Sequence, residues 1–271
     1  MPLSPEPPED KESTVTQSPE PEEVAPAHTL IPRDAEHWSK PVTRLEVGEV
    51  PASAININVT GRRVMGPVQG FGKMWQKTYR IGLGRQAEPR EVILEWKKNF
   101  SLFWPEGANF YGPVTGIAPG EVALLNLSMP GKLKLSTGVL VLFADDEAFT
   151  LMTPQGHMFA AWITFTSLEY EGQTVAETQV LLRANDPLYE LALGMGGHKK
   201  EDAFWTHTLS SLAAHFGVEG AEVSTKVVCV DKRRQWSKAK NIWHNSAIRS
   251  GGYMMGTPFR AVARSFRRPR K

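Results

Sequence analysis

A chain of 271 residues, 41% of them hydrophobic, can bury one substantial core or two small ones, and one folded domain with tails is expected. No apolar run approaches the roughly 18 residues that a membrane span requires, and no cationic start leads into an apolar stretch at the N-terminus, so neither spanning nor secretion is expected. Cys229 is the only cysteine, which excludes an internal disulfide and a multi-thiolate metal site and fits a reducing cytoplasm, where the Asn-x-Ser/Thr strings at Asn58 and Asn126 are accidental.

The net charge of +2 hides an asymmetry. Residues 1–29 are rich in Pro, Glu and Ser with few large apolar side chains, and read as a disordered acidic head that cannot bury enough surface to offset its ordering entropy. Residues 30–70 form a lead-in that packs loosely on the domain after it, with one short strand predicted at Ile55, Ile57 and Val59. In "KMWQKTYRIGL", Trp75, Lys77, Tyr79, Ile81 and Leu83 share one side of a period-2 pattern, and a strand is predicted. "GLGR" at 82–85 matches no nucleotide-binding pattern and reads as a turn. The next segment, "PREVILEWKKNFSLFW", predicts a helix that Pro89 starts and Pro105 ends, with Val92, Trp96, Phe100 and Phe103 on its buried face.

From Ala108 to Ala184 short apolar runs alternate with turn residues: "EVALLNL", "GKLKLS", "GVLVLF", "AFTLM", "HMFAAWITF" and "TVAETQVLL". An antiparallel meander of five to seven strands is predicted, with a hairpin turn at Asp145, Asp146 and Glu147. Asp186 and Pro187 start a short helix, glycines 194, 196 and 197 break it, and a long helix runs from there to Gly217. Its apolar stripe comprises Phe204, Trp205, Thr208, Leu209, Leu212 and Phe216, which suits packing lengthwise on a sheet.

Strand, helix, meander and long final helix make an α+β protein, a curved antiparallel sheet wrapped around a long C-terminal helix. With "GEVALLNL", "TPQGHMF" and "ANDPLYELALGMGGH", residues 71–217 resemble the helix-grip fold of the START-like (SRPBCC) superfamily, and in particular bacterial members with no assigned activity. That superfamily includes lipid-transfer domains, pollen-allergen-like carriers and polyketide cyclases. The resemblance implies a pocket between sheet and final helix that takes a hydrophobic small molecule or lipid, in a cytoplasmic binding protein that needs no catalysis and no cofactor. A polyketide cyclase or hydrolase using the same pocket is the alternative, with His157, Lys77 or Tyr79 as its polar group, and a surface adaptor is a third reading.

Candidate ligand contacts are His157, Lys77, Trp75, Tyr79, Phe159, Trp162, Phe204 and Thr208. His157 comes directly after the Pro154-Gln155-Gly156 turn and shares a strand face with Phe159, Ala161, Ile163 and Phe165, while Trp162 points the other way. Both faces are apolar, so either can look inward. His157 is either a rim group that bonds a ligand or the residue that closes the hairpin; Lys77 either neutralises a ligand carboxylate or extends its ammonium to water. No nucleophile is paired with His157 by the sequence, and no catalytic residue is assigned. His207 and His215, eight apart on one helix, do not share a face, and no metal site is expected.

Residues 218–271 form a basic C-terminal extension that contains no Asp or Glu after Asp231. In "TPFRAVARSFRRPRK", Arg260, Arg264, Arg267 and Arg268 line one side of a candidate amphipathic helix, with an anionic membrane surface as the favoured external partner and nucleic acid disfavoured. A solvated face that meets no partner is the third possibility.

Overall fold

The computed structural model describes residues 35–256 other than 86, 113–115 and 130–132. The acidic head and Arg260, Arg264, Arg267 and Arg268 of the basic tail lie outside the described residues. The strands are β1 (Val64–Met65), β2 (Met74–Gly82), β3 (Ala108–Tyr111), β4 (Val122–Met129), β5 (Leu133–Ala144), β6 (Ala148–Pro154), β7 (Phe159–Tyr170), β8 (Gln173–Ala184) and β9 (Ser224–Asp231). The helices are α1 (Pro89–Lys98), α2 (Pro187–Ala192), α3 (His198–His215) and α4 (Ser246–Met255), with a 3-10 helix at Trp236–His244.

The described strands form one antiparallel sheet in the order β3-β4-β5-β6-β7-β8-β2-β9, with β1 paired to β6. The first long strand therefore joins the end of the meander, and the sheet closes non-locally. Alternation along β2 sends Trp75, Lys77, Tyr79 and Ile81 to one face, and the cross-strand register carries that face across the sheet: Tyr79 lies opposite Thr178, Thr178 opposite Phe165, and Phe165 opposite Phe149. On this face α1 packs over β7 and β8, and α3 lies over β2 and β8. The result is the helix-grip α+β fold.

Two departures from the sequence expectation have clear causes. The described part of "GKLKLS", from Leu133, and "GVLVLF" form one continuous strand, because Gly138 is a site of close approach rather than a turn: a Cβ there would meet Ala123 O at 2.5 Å and Val59 Cγ2 at 2.8 Å. Val59 and its neighbours do not form a strand. Val59 instead plugs a second small core with Leu45, Val122, Leu124 and Leu140, and the Ile55 backbone is held by the side chain of Asn126.

Helix α1 ends at Asn99, whose φ of −109° and ψ of 19° turn the chain into a 3-10 segment at Phe100–Phe103. The aromatic stripe survives that change, since Val92, Trp96, Phe100 and Phe103 are all buried. Asp186 caps α2 by accepting from the N–H groups of Leu188 and Tyr189. The chain then leaves helical geometry at Met195 and Gly196, the latter at φ 110°, before α3 begins.

Beyond α3 the chain adds β9 to the free edge of β2. The N-terminal half of β5 extends past β6, and α4 takes that edge, where Ser250 Oγ accepts the Ser136 N–H at 3.1 Å. Among the described residues no helix is long and apolar enough to cross a membrane.

Candidate functional site between β2 and α3

Two residues apart on β2, Lys77 and Tyr79 both point at the first turn of α3. Lys77 is 1% exposed, so its ammonium does not reach water. It stands 2.7 Å from Asp202 Oδ1 and 2.9 Å from Glu201 Oε2, and it donates a longer bond of 3.5 Å to the His198 carbonyl. The Tyr79 hydroxyl donates to the same Asp202 Oδ1 at 2.7 Å. Burial, the nearby charge of Glu201 and the bond to Asp202 push the Tyr79 phenol far upward, so it acts as a donor and not as a base.

With one ammonium and two carboxylates the group is net anionic when His198 is neutral. Its hydrogen bonding is incomplete. Glu201 Oε1 has no hydrogen-bond partner, and Oε2 meets the Lys77 ammonium alone. His198 Nδ1 lies 3.9 Å from that oxygen without a hydrogen-bond partner, its ring edge-on to Trp75 at 5.1 Å. Thr178, opposite Tyr79 on β8, has a buried hydroxyl with no partner, and elsewhere along the same core the indole N–H groups of Trp96 and Trp104 also lack acceptors. Unmet donors and acceptors thus accumulate between sheet and helices, where the cost of leaving them unmet is highest.

The rest of the interior is occupied by rings. Phe149 and Phe165 stack at 4.5 Å, Trp96 and Phe100 stand edge-on to both, and Trp205 of α3 meets Phe165 at 5.6 Å. Phe204 stands edge-on to Trp104 at 5.0 Å, partly buried. Thr208 is fully buried, but its hydroxyl is already spent on the Phe204 carbonyl one turn back.

The structure therefore brings Trp75, Lys77 and Tyr79 together at the start of α3, with Phe204 and Thr208 further along the same helix. His157 stands apart. It is 6% exposed in the turn two residues before β7 and not on the strand; its Nδ1 meets the Phe159 N–H at 3.0 Å, and its carbonyl accepts from Asn185 Nδ2. Burial pulls its imidazole down to about 4, leaving it neutral. Phe159 packs partly buried against the main core near it, 5.9 Å from the His157 ring. Trp162 projects from the opposite face of the sheet, 40% exposed beside Gly66.

Glu201 and Asp202 carry half of this cluster and are not among the candidates from sequence, where "HKKEDAFW" reads as a polar helix start. A signal is present: Glu201, Trp205, Thr208 and Leu212 recur at spacings of four, three and four, which continues the buried stripe one turn toward the N-terminus. A groove of about 510 Å3 lies on the other face of β8, β2 and β9, lined by polar groups such as Gln76, Thr78, Gln179 and Ser224. Among the described residues no group of three or more His, Cys, Asp or Glu is placed to hold a metal ion.

No family model and no curated protein matches the chain. Solved structures similar to it include protein Ms6760 from Mycobacterium smegmatis, at 12% identity and TM-score 0.38, covering 57% of this chain and 96% of that one. The di-domain ARO/CYC StfQ from the steffimycin biosynthetic pathway is similar at 10% identity and TM-score 0.41, covering 52% of this chain and 50% of its own. Ara h 8.0201 is similar at 10% identity and TM-score 0.39, covering 53% and 97%. In this chain, too, one long helix lies along an open antiparallel sheet, the helix-grip arrangement.

Proposed function

We propose that the chain binds a small, largely apolar molecule between the sheet and α3, and that Lys77, Tyr79, Glu201 and Asp202 receive its polar end. One observation carries this reading: Glu201 is 8% exposed, yet beyond the Lys77 ammonium at 2.9 Å its carboxylate meets no donor, and Oε1 has none at all. A purely structural core would place an apolar side chain there, because an incompletely bonded buried carboxylate is costly. A guest that donates from a hydroxyl would satisfy it, and the Trp96 and Trp104 indoles would serve a guest that also accepts.

In the ring-filled interior a guest needs room, and the break between α2 and α3 is where the chain can yield. Gly194 and Gly196 have open space around them, and Gly196 already holds φ 110°. Rotation about this joint would lift the first turn of α3 with Glu201 and Asp202. Binding of this kind calls for no chemical step. A cyclase or hydrolase on the same cluster is the second reading, favoured by the convergence of Lys77, Tyr79, Glu201, Asp202 and His198 on one spot.

Titration calorimetry with 1-naphthol and 1-methoxynaphthalene separates donor recognition from simple greasiness, since only the first donates a hydrogen bond. The naphthol should bind at least about tenfold more tightly, in line with one hydrogen bond to a charged group, and Glu201→Gln should erase most of that preference. If neither compound binds, or if the preference survives Glu201→Gln, the reading is wrong.

A further inference from the structure

Helix α4 is inverted relative to an ordinary surface helix. Its polar residues Ser246 and Ser250 are 0% and 3% exposed, while Ile248 is 54% and Met255 77% exposed. The buried serines are used: Ser250 bonds Asn58 Nδ2 and the Ser136 N–H, and Ser246 donates to the Gly156 carbonyl. The apolar side is what remains outside. Immediately before it, the 3-10 helix exposes Trp236 at 73% and Trp243 at 81%. A cavity of about 430 Å3 lined by Ile57, Arg249 and Tyr253 adjoins α4.

The charge of this stretch has one sign. Residues 232–256 contain Lys232, Arg233, Arg234, Lys238, Lys240 and Arg249 and no Asp or Glu. Among the described residues Arg233 and Arg234 meet carboxylates outside the stretch, Asp231 and Glu190, and the lysines retain their charge for another partner. In a 3-10 helix side chains three apart eclipse, so Lys240 and Trp243 rise together from one side of it.

We propose that residues 236–255 dock on an anionic lipid surface, with Trp236, Trp243, Ile248 and Met255 entering the headgroup region and Lys238, Lys240 and Arg249 meeting lipid phosphates and carboxylates. Indole rings with one apolar body and one polar edge suit that interface, and basic residues beside them are attracted by the surface potential. Two other occupants fit less well. An isologous dimer would set this acid-free stretch against itself, and nucleic acid offers nothing for Ile248 and Met255 to bury against. The surface is distinct from the β2 and α3 cluster, and its test is independent of the small-molecule reading.

The test is co-sedimentation of the full chain with phosphatidylcholine vesicles, with and without phosphatidylserine, over a range of salt. Binding should require phosphatidylserine and weaken as salt rises. Trp243→Ala and Lys240→Glu should each weaken it by about fivefold or more, the worth of roughly one surface charge, with unchanged circular dichroism. Equal pelleting on phosphatidylcholine alone would overturn the proposal, as would indifference to both substitutions. So would duplex DNA that binds more tightly than the vesicles at the same salt, or a dimer that Trp243→Ala dissociates.

Discussion

The ammonium of Lys77 and the carboxylate of Glu201 face each other at 2.9 Å with side chains only 1% and 5% exposed, one from the middle of a strand and the other from the first turn of the helix laid across it. Such a pair is held in place by mutual need, because each charge is costly to bury alone. Lys77→Met should therefore destabilise the protein by about 3–5 kcal/mol in chemical denaturation, and adding Glu201→Leu should restore part of the loss rather than deepen it. Additive losses would mean that the two charges do not depend on each other.

His157 makes stability depend on pH in a defined window. Its folded imidazole titrates at about 4 against 6.5 in the open chain, because burial disfavours the cation. Between those values the unfolded state takes up a proton that the folded state refuses, so stability falls as pH falls from about 6.5 to 4 and levels off below. The whole effect is on the order of 3 kcal/mol. His157→Asn should flatten that part of the melting temperature against pH curve, even if it lowers the value at neutral pH.

Gly156 ties the hairpin before β7 to the C-terminal segment. It holds φ +90°, and a Cβ there would lie 2.0 Å from the His244 carbonyl oxygen. Gly156→Ala should cost at least about 2 kcal/mol through strain and displacement, and it should expose residues 236–256 to limited proteolysis before the rest of the chain. A variant as resistant as the parent would show that this contact does not anchor the segment.

Trp96 distinguishes packing from hydrogen bonding. Its ring is fully buried edge-on to the stacked Phe149 and Phe165, but its N–H has no acceptor. Trp96→Phe should cost only about 1–2 kcal/mol, since no bond is lost, whereas Trp96→Ala should cost about 3–5 kcal/mol by opening a void. Denaturant midpoints compare the two directly.

Much of the architecture is legible in the sequence because it is written in local periods. The alternation of Trp75, Tyr79 and Ile81, the four-residue recurrence of Val92, Trp96 and Phe100, and the Asp186 cap are each decided within a few residues. Gly138 misleads because its role is set by Val59, far away in the chain. Strand β9 is not among the expected elements, although "STKVVCVD" has the β-branched content of a strand, because its partner β2 lies far away in the chain. The cluster is half legible: Lys77 is conspicuous on an apolar face, but its carboxylates sit on another element, and only extension of the α3 stripe back to Glu201 pairs them.

Strand β2 is made early and completed late. Trp75 has Leu182 on one side and Cys229 on the other, both from the second half of the chain. As the polypeptide emerges from a ribosome, β2 must wait unpaired until β8 and then β9 have been made. Late closure is thus a direct consequence of where the sheet's seam falls.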